Sequence, residues 1–264
     1  MKLRRRLSPS QQYLLDRVLS VSNKHSIAAK EGLLDQQRDM VVGLKKKLQN
    51  SRIVVNVNLH DHIFGISMID SLIASKRLYN LFEIAHAARE RNPSDLRMRI
   101  MLEFKLYGAT RNLQTVLAGM SNTEHPNYGV LDYRNNPIGL SALGFYGWYR
   151  FVLKDRVKKR STFTPADSFH ITPEQVFVWD DIEGVLASRV VGMDQCWHEY
   201  VNRMEIPIDE YGTTSYIEAQ ILGGVFLEND VEVLYYPETD QFNQEFFPKL
   251  KRLAKECKFK LISY

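Results

Sequence analysis

Residues 212–223 read Gly-Thr-Thr-Ser-Tyr-Ile-Glu-Ala-Gln-Ile-Leu-Gly, a small polar loop that leads into an apolar run. β-Branched and aromatic residues between glycine and small polar residues favour extended backbone, so this pattern predicts a strand at Tyr216–Gly223. One acidic residue, Glu218, stands where the loop enters the strand. A strand holds a side chain in a fixed direction, which suits a catalytic carboxylate. Pairing of Glu218 with a nearby lysine or arginine is the alternative.

A second informative stretch joins a strand to a series of hydroxyl groups. Phe151-Val152-Leu153 is followed by Ser161-Thr162-Phe163-Thr164 and then by Asp167-Ser168. The pattern predicts an apolar strand that leads into a polar, hydroxyl-rich segment. Such a segment can orient a carboxylate, and the simple start of another strand is the alternative.

The rest of the chain mixes helical periodicity with short β-rich runs. Helices are predicted from Ser8-Pro9-Ser10 onward, at about Ile27–Leu48, over most of Met68–Leu117 and at Asn243–Cys257. Further strands are predicted at Arg52–His60, Tyr128–Tyr133, Gly147–Leu153, Glu174–Trp179, Asp230–Tyr235 and Phe259–Ser263. We therefore expect an α+β protein with an N-terminal helical region over residues 1–52 and one domain over residues 53–264.

Composition excludes several classes of protein. The 264 residues are 44% hydrophobic and 25% charged, enough to bury a core, with no apolar run long enough for a membrane span. Cys196 and Cys257 are too few for a disulfide framework or a thiolate zinc site. No signal peptide follows the basic triplet Arg4-Arg5-Arg6, so we expect synthesis in the cytoplasm without classical secretion.

Charge is unevenly distributed, and other site motifs are weak. Residues 1–52 carry 12 basic and 4 acidic groups, which indicates a solvated basic helical face; a module that binds nucleic acid is the alternative. His60-Asp61-His62 has no third partner at an informative spacing, so we predict no metal. The chain also lacks a phosphate-binding glycine motif and a Gly-x-Ser-x-Gly nucleophile motif.

Several short motifs, in order over most of the chain, resemble a bacterial family of formerly unknown function that is linked to the mono-ADP-ribosyltransferases and includes effector-type enzymes. The motifs are Leu7-Ser8-Pro9-Ser10-Gln11-Gln12, Val57-Asn58-Leu59-His60, Phe82-Glu83, Glu103 with Leu106-Tyr107-Gly108, Pro126 with Tyr128-Gly129-Val130-Leu131, Phe151-Val152-Leu153, Thr162-Phe163-Thr164 with Asp167-Ser168, and Glu218-Ala219-Gln220 followed by Gly223.

The resemblance implies an ADP-ribosyltransferase-like split β-sandwich that binds NAD in its cleft and transfers ADP-ribose to a protein side chain such as arginine, releasing nicotinamide. Glu218 is then the catalytic carboxylate, because cleavage of the nicotinamide–ribose bond develops an oxocarbenium-like cation. Ser161 and Thr162 would orient that carboxylate and the ribose. Three more residues are expected beside the NAD: Thr164, Tyr216 and Gln220.

The family carries an arginine just before the Phe-Glu pair on its first catalytic strand, and here Tyr79 stands at that position. Residues two apart on a strand face the same side, so Arg77 can replace it, and an arginine fork can bind the phosphates of NAD. We predict Arg77 as the cofactor anchor. Tyr79 stacking on a ring of NAD, or a degraded NAD site, are the alternatives, and His125 is a second candidate anchor.

The replacement at Tyr79 also supports an alternative function. A catalytically inactive relative would keep the ADP-ribosyltransferase-like fold and bind a partner protein. The partners predicted from the sequence are therefore NAD and an unidentified acceptor protein, with no membrane span and no nucleic acid. An effector delivered into a host cell without a signal peptide is compatible with the family.

Overall fold

A large β-sheet forms the centre of the computed structural model, which describes residues 7–87, 93–108, 110–132, 146–191 and 216–264. The strands are β1 (Arg52–Val57), β2 (His62–Ile63), β3 (Ile66–Ser67), β4 (Arg77–Leu78), β5 (Asn127–Asp132), β6 (Tyr149–Leu153), β7 (Ser161–Thr164), β8 (Phe177–Val178), β9 (Glu218–Ile221), β10 (Val225–Phe226), β11 (Val231–Tyr236) and β12 (Lys260–Ser263).

Eight of these strands make one sheet in the order β12-β11-β6-β1-β5-β9-β7-β8. All its neighbours are antiparallel except β11 and β12, which run parallel. β2 pairs with β3 and β4 pairs with β10 in two small ribbons. The sheet and the surrounding helices confirm the predicted α+β class.

The described residues also form nine α-helices, several of which begin at clear capping signals. They are α1 (Pro9–Glu31), α2 (Asp35–Leu48), α3 (Met68–Ser75), α4 (Leu81–Ala87), α5 (Pro93–Tyr107), α6 (Arg111–Gly119), α7 (Ile182–Val191), α8 (Leu227–Asp230) and α9 (Phe246–Cys257). α1 begins at a capping box in which Ser8 and Gln11 exchange hydrogen bonds, with proline at its first position. No described helix has the length and apolarity needed to span a lipid bilayer.

The two N-terminal helices pack into the same cores as the sheet. Leu14 and Val18 of α1 join Leu106 of α5 in one apolar cluster. Leu44 of α2 joins Phe151 of β6 in the other. Both helices also contact α7, so the helical region over residues 1–52 supports the sheet directly. The basic triplet of residues 4–6 and the loop of residues 212–215 lie outside the described residues.

Most predicted strands are present, with ends shifted by a few residues. The prediction at Glu174–Trp179 is only partly correct, because Pro173–Gln175 forms a 3₁₀ turn and only Phe177–Val178 is extended. The predicted helix at Ile27–Leu48 is wrong at its start. α1 continues to Glu31, and α2 begins at Asp35.

The strand implied around Arg77 is much shorter than the resemblance suggests. β4 covers only Arg77–Leu78, and the chain then enters α4 at Leu81. Asn80 caps this helix: its Oδ1 accepts from the Glu83 backbone N–H at 2.9 Å, and the Glu83 carboxylate accepts from the Asn80 backbone N–H at 3.1 Å. This reciprocal arrangement is a capping box. The strand register that would align Arg77 with Tyr79 is therefore absent.

Candidate functional site

A cavity of about 1180 Å³ lies against one face of the sheet. Its walls come from β1, the β2–β3 hairpin, β5, the start of β9 and residues of α5, together with the segment after β7. The lining is rich in aromatic and neutral polar side chains, including Asn56, Asn58, Asn127, Tyr79, Tyr128 and Tyr216. Pockets that hold small ligands usually occupy about 300–1,000 Å³, so this cavity has room for a ligand as large as a dinucleotide.

Glu218 is a buried carboxylate on the wall of this cavity. It is the first residue of β9 and is 7% exposed. Burial raises the pKa of Glu218 to about 7, and the charge of Asp167 contributes in the same direction. The hydrogen bond from Gln220 and the nearby hydroxyl and backbone N–H of Ser168 act in the opposite direction and lower the pKa. Glu218 therefore changes its protonation state near neutral pH.

A ladder of polar side chains beside Glu218 fixes its direction. In the register of β7 and β9, Thr162 lies opposite Gln220 and Thr164 lies opposite Glu218, so all four side chains share one face. Thr162 donates to Gln220 Oε1 at 2.8 Å, and Gln220 Nε2 donates to Glu218 Oε1 at 2.8 Å and to Thr164 Oγ1 at 3.2 Å. The amide of Gln220 thus links two hydroxyl groups to the carboxylate.

Ser161, which the sequence analysis places beside the catalytic carboxylate, does not belong to this ladder. It lies opposite Ile221, on the face of β7 that Phe163 presents to the apolar core. Its hydroxyl donates to the Val157 carbonyl at 2.9 Å. Because side chains alternate along a strand, Ser161 and Thr162 cannot both face Glu218.

Tyr216 lies on the cavity wall and is held in place at both ends. Its hydroxyl donates to Asp167 Oδ2 at 3.0 Å, and its backbone carbonyl accepts from Arg189 Nη1 at 2.7 Å. Burial and the neighbouring carboxylates raise the pKa of Tyr216, so its hydroxyl stays protonated. Asp167 also lines the cavity, which places a second carboxylate in the same space as Glu218.

The structure does not bring Arg77 to this cavity. Its guanidinium forms a two-pronged ion pair with Glu83, and one of the two contacts measures 2.7 Å. The same group lies over the Tyr79 ring, 4.8 Å from its centroid. Tyr79 lines the cavity whereas Arg77 does not. The position that the resemblance assigns to an arginine therefore contributes a ring to the cavity.

Arg99 is a cavity residue that the sequence reasoning missed. It lies on α5 and lines the cavity, and it makes no hydrogen bond or ion pair within the described parts of the chain. Its charge acts to lower the pKa of the nearby Glu103, although burial keeps that pKa raised overall. No sequence motif marks Arg99, because its position depends on how α5 packs across the sheet.

His125, the second candidate anchor, lies in a buried cluster behind the cavity wall. Its ring stacks on Phe82 with centroids 3.6 Å apart, and its Nδ1 lies 2.7 Å from Glu103 Oε2. Tyr128, which lines the cavity, donates to Glu103 Oε1 at 3.4 Å. His125 is therefore positioned to support the wall that carries Tyr128.

The His60-Asp61-His62 segment forms the rim of the cavity near the β2–β3 hairpin. His60 Nε2 lies 2.8 Å from the hydroxyl of Tyr149 and 3.4 Å from Asp240. Tyr149 also donates to Asp240. Among the described residues, no three His, Cys, Asp or Glu side chains come together as a metal-binding group.

Comparison with known proteins finds similarity to a bacteriophage protein. No family model matches the chain. The chain is 30% identical, over 172 residues, to the Gene 2 protein of Mycobacterium phage L5. The match covers 62% of this chain and 60% of the phage protein, so the chain spans less than two thirds of that relative. The name of the relative states no activity.

Proposed function

We propose that the protein transfers ADP-ribose from NAD to a protein side chain and releases nicotinamide. The observation that carries the proposal is Glu218, a buried carboxylate with a pKa of about 7 on the wall of a cavity large enough for a dinucleotide. The antiparallel pair β7–β9 supports it by holding the carboxylate in a fixed direction. We also propose that these strands belong to an ADP-ribosyltransferase-like split β-sandwich.

Ionised Glu218 would act on the ribose that bears nicotinamide. The carbon–nitrogen bond would break with its electron pair leaving on nicotinamide, positive charge would develop on the ribose, and the acceptor side chain would form the new bond to the same ribose carbon. A fixed carboxylate in a water-poor site stabilises that charge more strongly in the transition state than in bound NAD. The amide of Gln220 donates to Glu218 and holds the carboxylate in a fixed direction without neutralising it.

Other groups on the cavity wall suit the remaining parts of NAD and its acceptor. Arg99 supplies a cation for the phosphates, because a guanidinium binds phosphate oxygens through two parallel hydrogen bonds. In arginine-modifying relatives the position two residues before the catalytic glutamate often holds an acid or an amide, and here it is Tyr216. Asp167, which accepts a hydrogen bond from Tyr216, offers a carboxylate to the proton that the acceptor loses.

The proposal is tested by incubating the purified protein with labelled NAD and a cell lysate and measuring label on protein. Replacement of Glu218 by Gln should lower transfer about 100-fold or more while the protein stays folded. Glu83→Gln is the matched control, because Glu83 is equally buried but does not line the cavity. Arg99→Gln should raise the NAD concentration needed for half-maximal rate.

Full transfer by the Glu218→Gln variant would refute the proposed role of Glu218. A native protein that neither transfers label nor gains thermal stability from NAD would instead support the alternative of an inactive, partner-binding relative, since a bound ligand must stabilise the folded state. The ion pair that occupies Arg77 is the observation that favours this alternative.

A further inference from the structure

The β2–β3 hairpin carries an aromatic residue in an unfavourable backbone conformation. Ile63 pairs with Ile66, so Phe64 and Gly65 form a two-residue loop. Their φ angles are +52° and +79°, as in a type I′ turn. Positive φ is common for glycine, asparagine and aspartate but uncommon for a bulky L-residue, whose Cβ approaches the following carbonyl. Phenylalanine is thus a costly choice for this position.

Burial does not explain why this position holds phenylalanine. Phe64 is 56% exposed, and its ring makes an edge-to-face contact with Tyr79, with centroids 6.3 Å apart. Phe64 and Tyr79 both line the cavity. A partly exposed ring on a cavity wall offers a face for another ring, because aromatic pairs gain from stacking and edge-to-face contact. Strained backbone conformations occur often at ligand-binding sites, where the side chain has a contact to make.

Phe64 and Glu218 line the cavity from different elements, the β2–β3 hairpin and β9. Glu218 pairs with Val130 of β5, which in turn pairs with Val54 of β1, so Glu218 and Val54 are separated by two strand spacings, or about 9–10 Å. The chain continues from β1 for several residues before it reaches Phe64 in the hairpin. A ligand that touches both residues therefore bridges the β2–β3 hairpin and the central strands of the sheet.

We infer that Phe64 is the platform on which the adenine ring of NAD stacks, with Tyr79 supporting it from the side. The inference rests on the proposed function, which assigns the ribose bearing nicotinamide to Glu218. Adenine and the ribose that bears nicotinamide lie at opposite ends of the dinucleotide, and Phe64 and Glu218 belong to different elements of the cavity wall. An exposed aromatic face also suits a purine, because stacking requires a flat ring and little else.

The test compares ligand affinities of the native protein with those of Phe64→Asn and Phe64→Tyr, measured by calorimetry with NAD, ADP-ribose and nicotinamide mononucleotide. Phe64→Asn should weaken NAD and ADP-ribose equally, roughly 5- to 100-fold, as expected for loss of one stacked base. Nicotinamide mononucleotide, which lacks adenine, should bind unchanged. Phe64→Tyr keeps the ring and should keep the affinity.

Thermal stability separates this role from a structural one. Asparagine tolerates positive φ, so Phe64→Asn should unfold at the same temperature as the native protein or at a higher one. Phe242→Asn is the matched control, because Phe242 is 81% exposed and lies outside the cavity lining. If Phe64→Asn lowers thermal stability but leaves the affinity for ADP-ribose unchanged, the platform is overturned. Phe64 then has only a structural role through its contact with Tyr79.

The outcomes also separate the platform from the reaction. Binding of ADP-ribose that depends on Phe64, without any transfer of label, would overturn the reaction and retain the platform. If transfer depends on Glu218 but the Phe64 variants bind ADP-ribose with unchanged affinity, the platform alone is overturned. A native protein that binds neither NAD nor ADP-ribose would overturn both.

Discussion

Glu218 and Glu83 are buried to almost the same extent, 7% and 5% exposed, but the groups that contact the two carboxylates differ. The Glu83 carboxylate forms an ion pair with the guanidinium of Arg77 and accepts a hydrogen bond from the backbone N–H of Asn80. Glu218 accepts a hydrogen bond from the amide of Gln220, has the neutral groups of Ser168 nearby, and lines the cavity. Where the fold supplies a cation, a buried carboxylate stabilises structure. Where the partners are neutral, the carboxylate can respond to positive charge that arises on a ligand.

The largest effect on stability is expected when the cation of the Glu83 pair is removed. Arg77→Ala leaves Glu83 buried without its counter-charge, so the free energy of unfolding should fall by about 3–5 kcal/mol. Urea unfolding at neutral pH measures the change. Adding Glu83→Gln to Arg77→Ala should recover part of the loss, because no charge then remains to be compensated.

The same experiment tests the predicted role of Arg77 in NAD binding. A loss below about 1 kcal/mol, the range of exposed ion pairs, combined with weakened binding of NAD would restore Arg77 as a cofactor anchor. It would also remove the contrast between the two glutamates. If the folded fraction of the Arg77→Ala protein binds NAD with unchanged affinity, the contrast between Glu83 and Glu218 is strengthened.

An intermediate effect is expected from the pH dependence of stability. The pKa of Glu218 is about 7 in the folded protein and 4.5 for an ordinary glutamate. Between these pH values the folded state holds more protons than the unfolded state, so the free energy of unfolding falls as the pH rises. Ionisation of Glu218 should lower the free energy of unfolding by about 3 kcal/mol in total, and the fall is complete at pH values above 7.

Glu218→Gln removes this titration and provides the reference. Urea unfolding from pH 4.5 to pH 7.5 should show a steeper fall for the native protein than for the variant. Parallel curves for the two proteins would mean that Glu218 is ionised as easily as an exposed carboxylate, and the comparison with Glu83 would then lose its electrostatic basis.

The smallest effects are expected from the two hydroxyl residues on opposite faces of β7. Thr162→Val should cost about 1–2 kcal/mol of stability, because it leaves the carbonyl of Gln220 without its donor, and it should lower transfer about tenfold. Ser161→Ala should cost about 1 kcal/mol and leave transfer unchanged, since Ser161 contacts Val157. Equal losses of transfer in the two variants would contradict the assignment of faces.

Local sequence signals predicted most of the secondary structure. The β-branched run at Arg52–Val57 and the apolar spacing of Phe246–Cys257 each bury one face, so pattern and structure agree. Glu218 could also be singled out, because it is the one acidic residue between a small polar loop and an apolar strand. These features depend on residues that are close together in the sequence.

The parts that sequence reasoning missed depend on contacts between distant segments. The opposite faces of Ser161 and Thr162 follow from alternation and from the register with β9, and only the register says which face carries Glu218. Arg99 reaches the cavity through the packing of α5. One missed feature did have a local signal: Asn80-Leu81-Phe82-Glu83 is a capping-box sequence that predicts a helix start in place of a strand.

The order of the sheet also determines when the site can form. Thr162 bonds to Gln220, which lies 58 residues further along the chain, and Glu218 reaches β1 only through β5. Contacts between such distant segments require closure of long loops, which slows folding relative to proteins with local contacts. The ladder beside Glu218 is therefore complete only when these distant strands have paired. Recovery of transfer after dilution from denaturant would accordingly report the fully folded population and no earlier species.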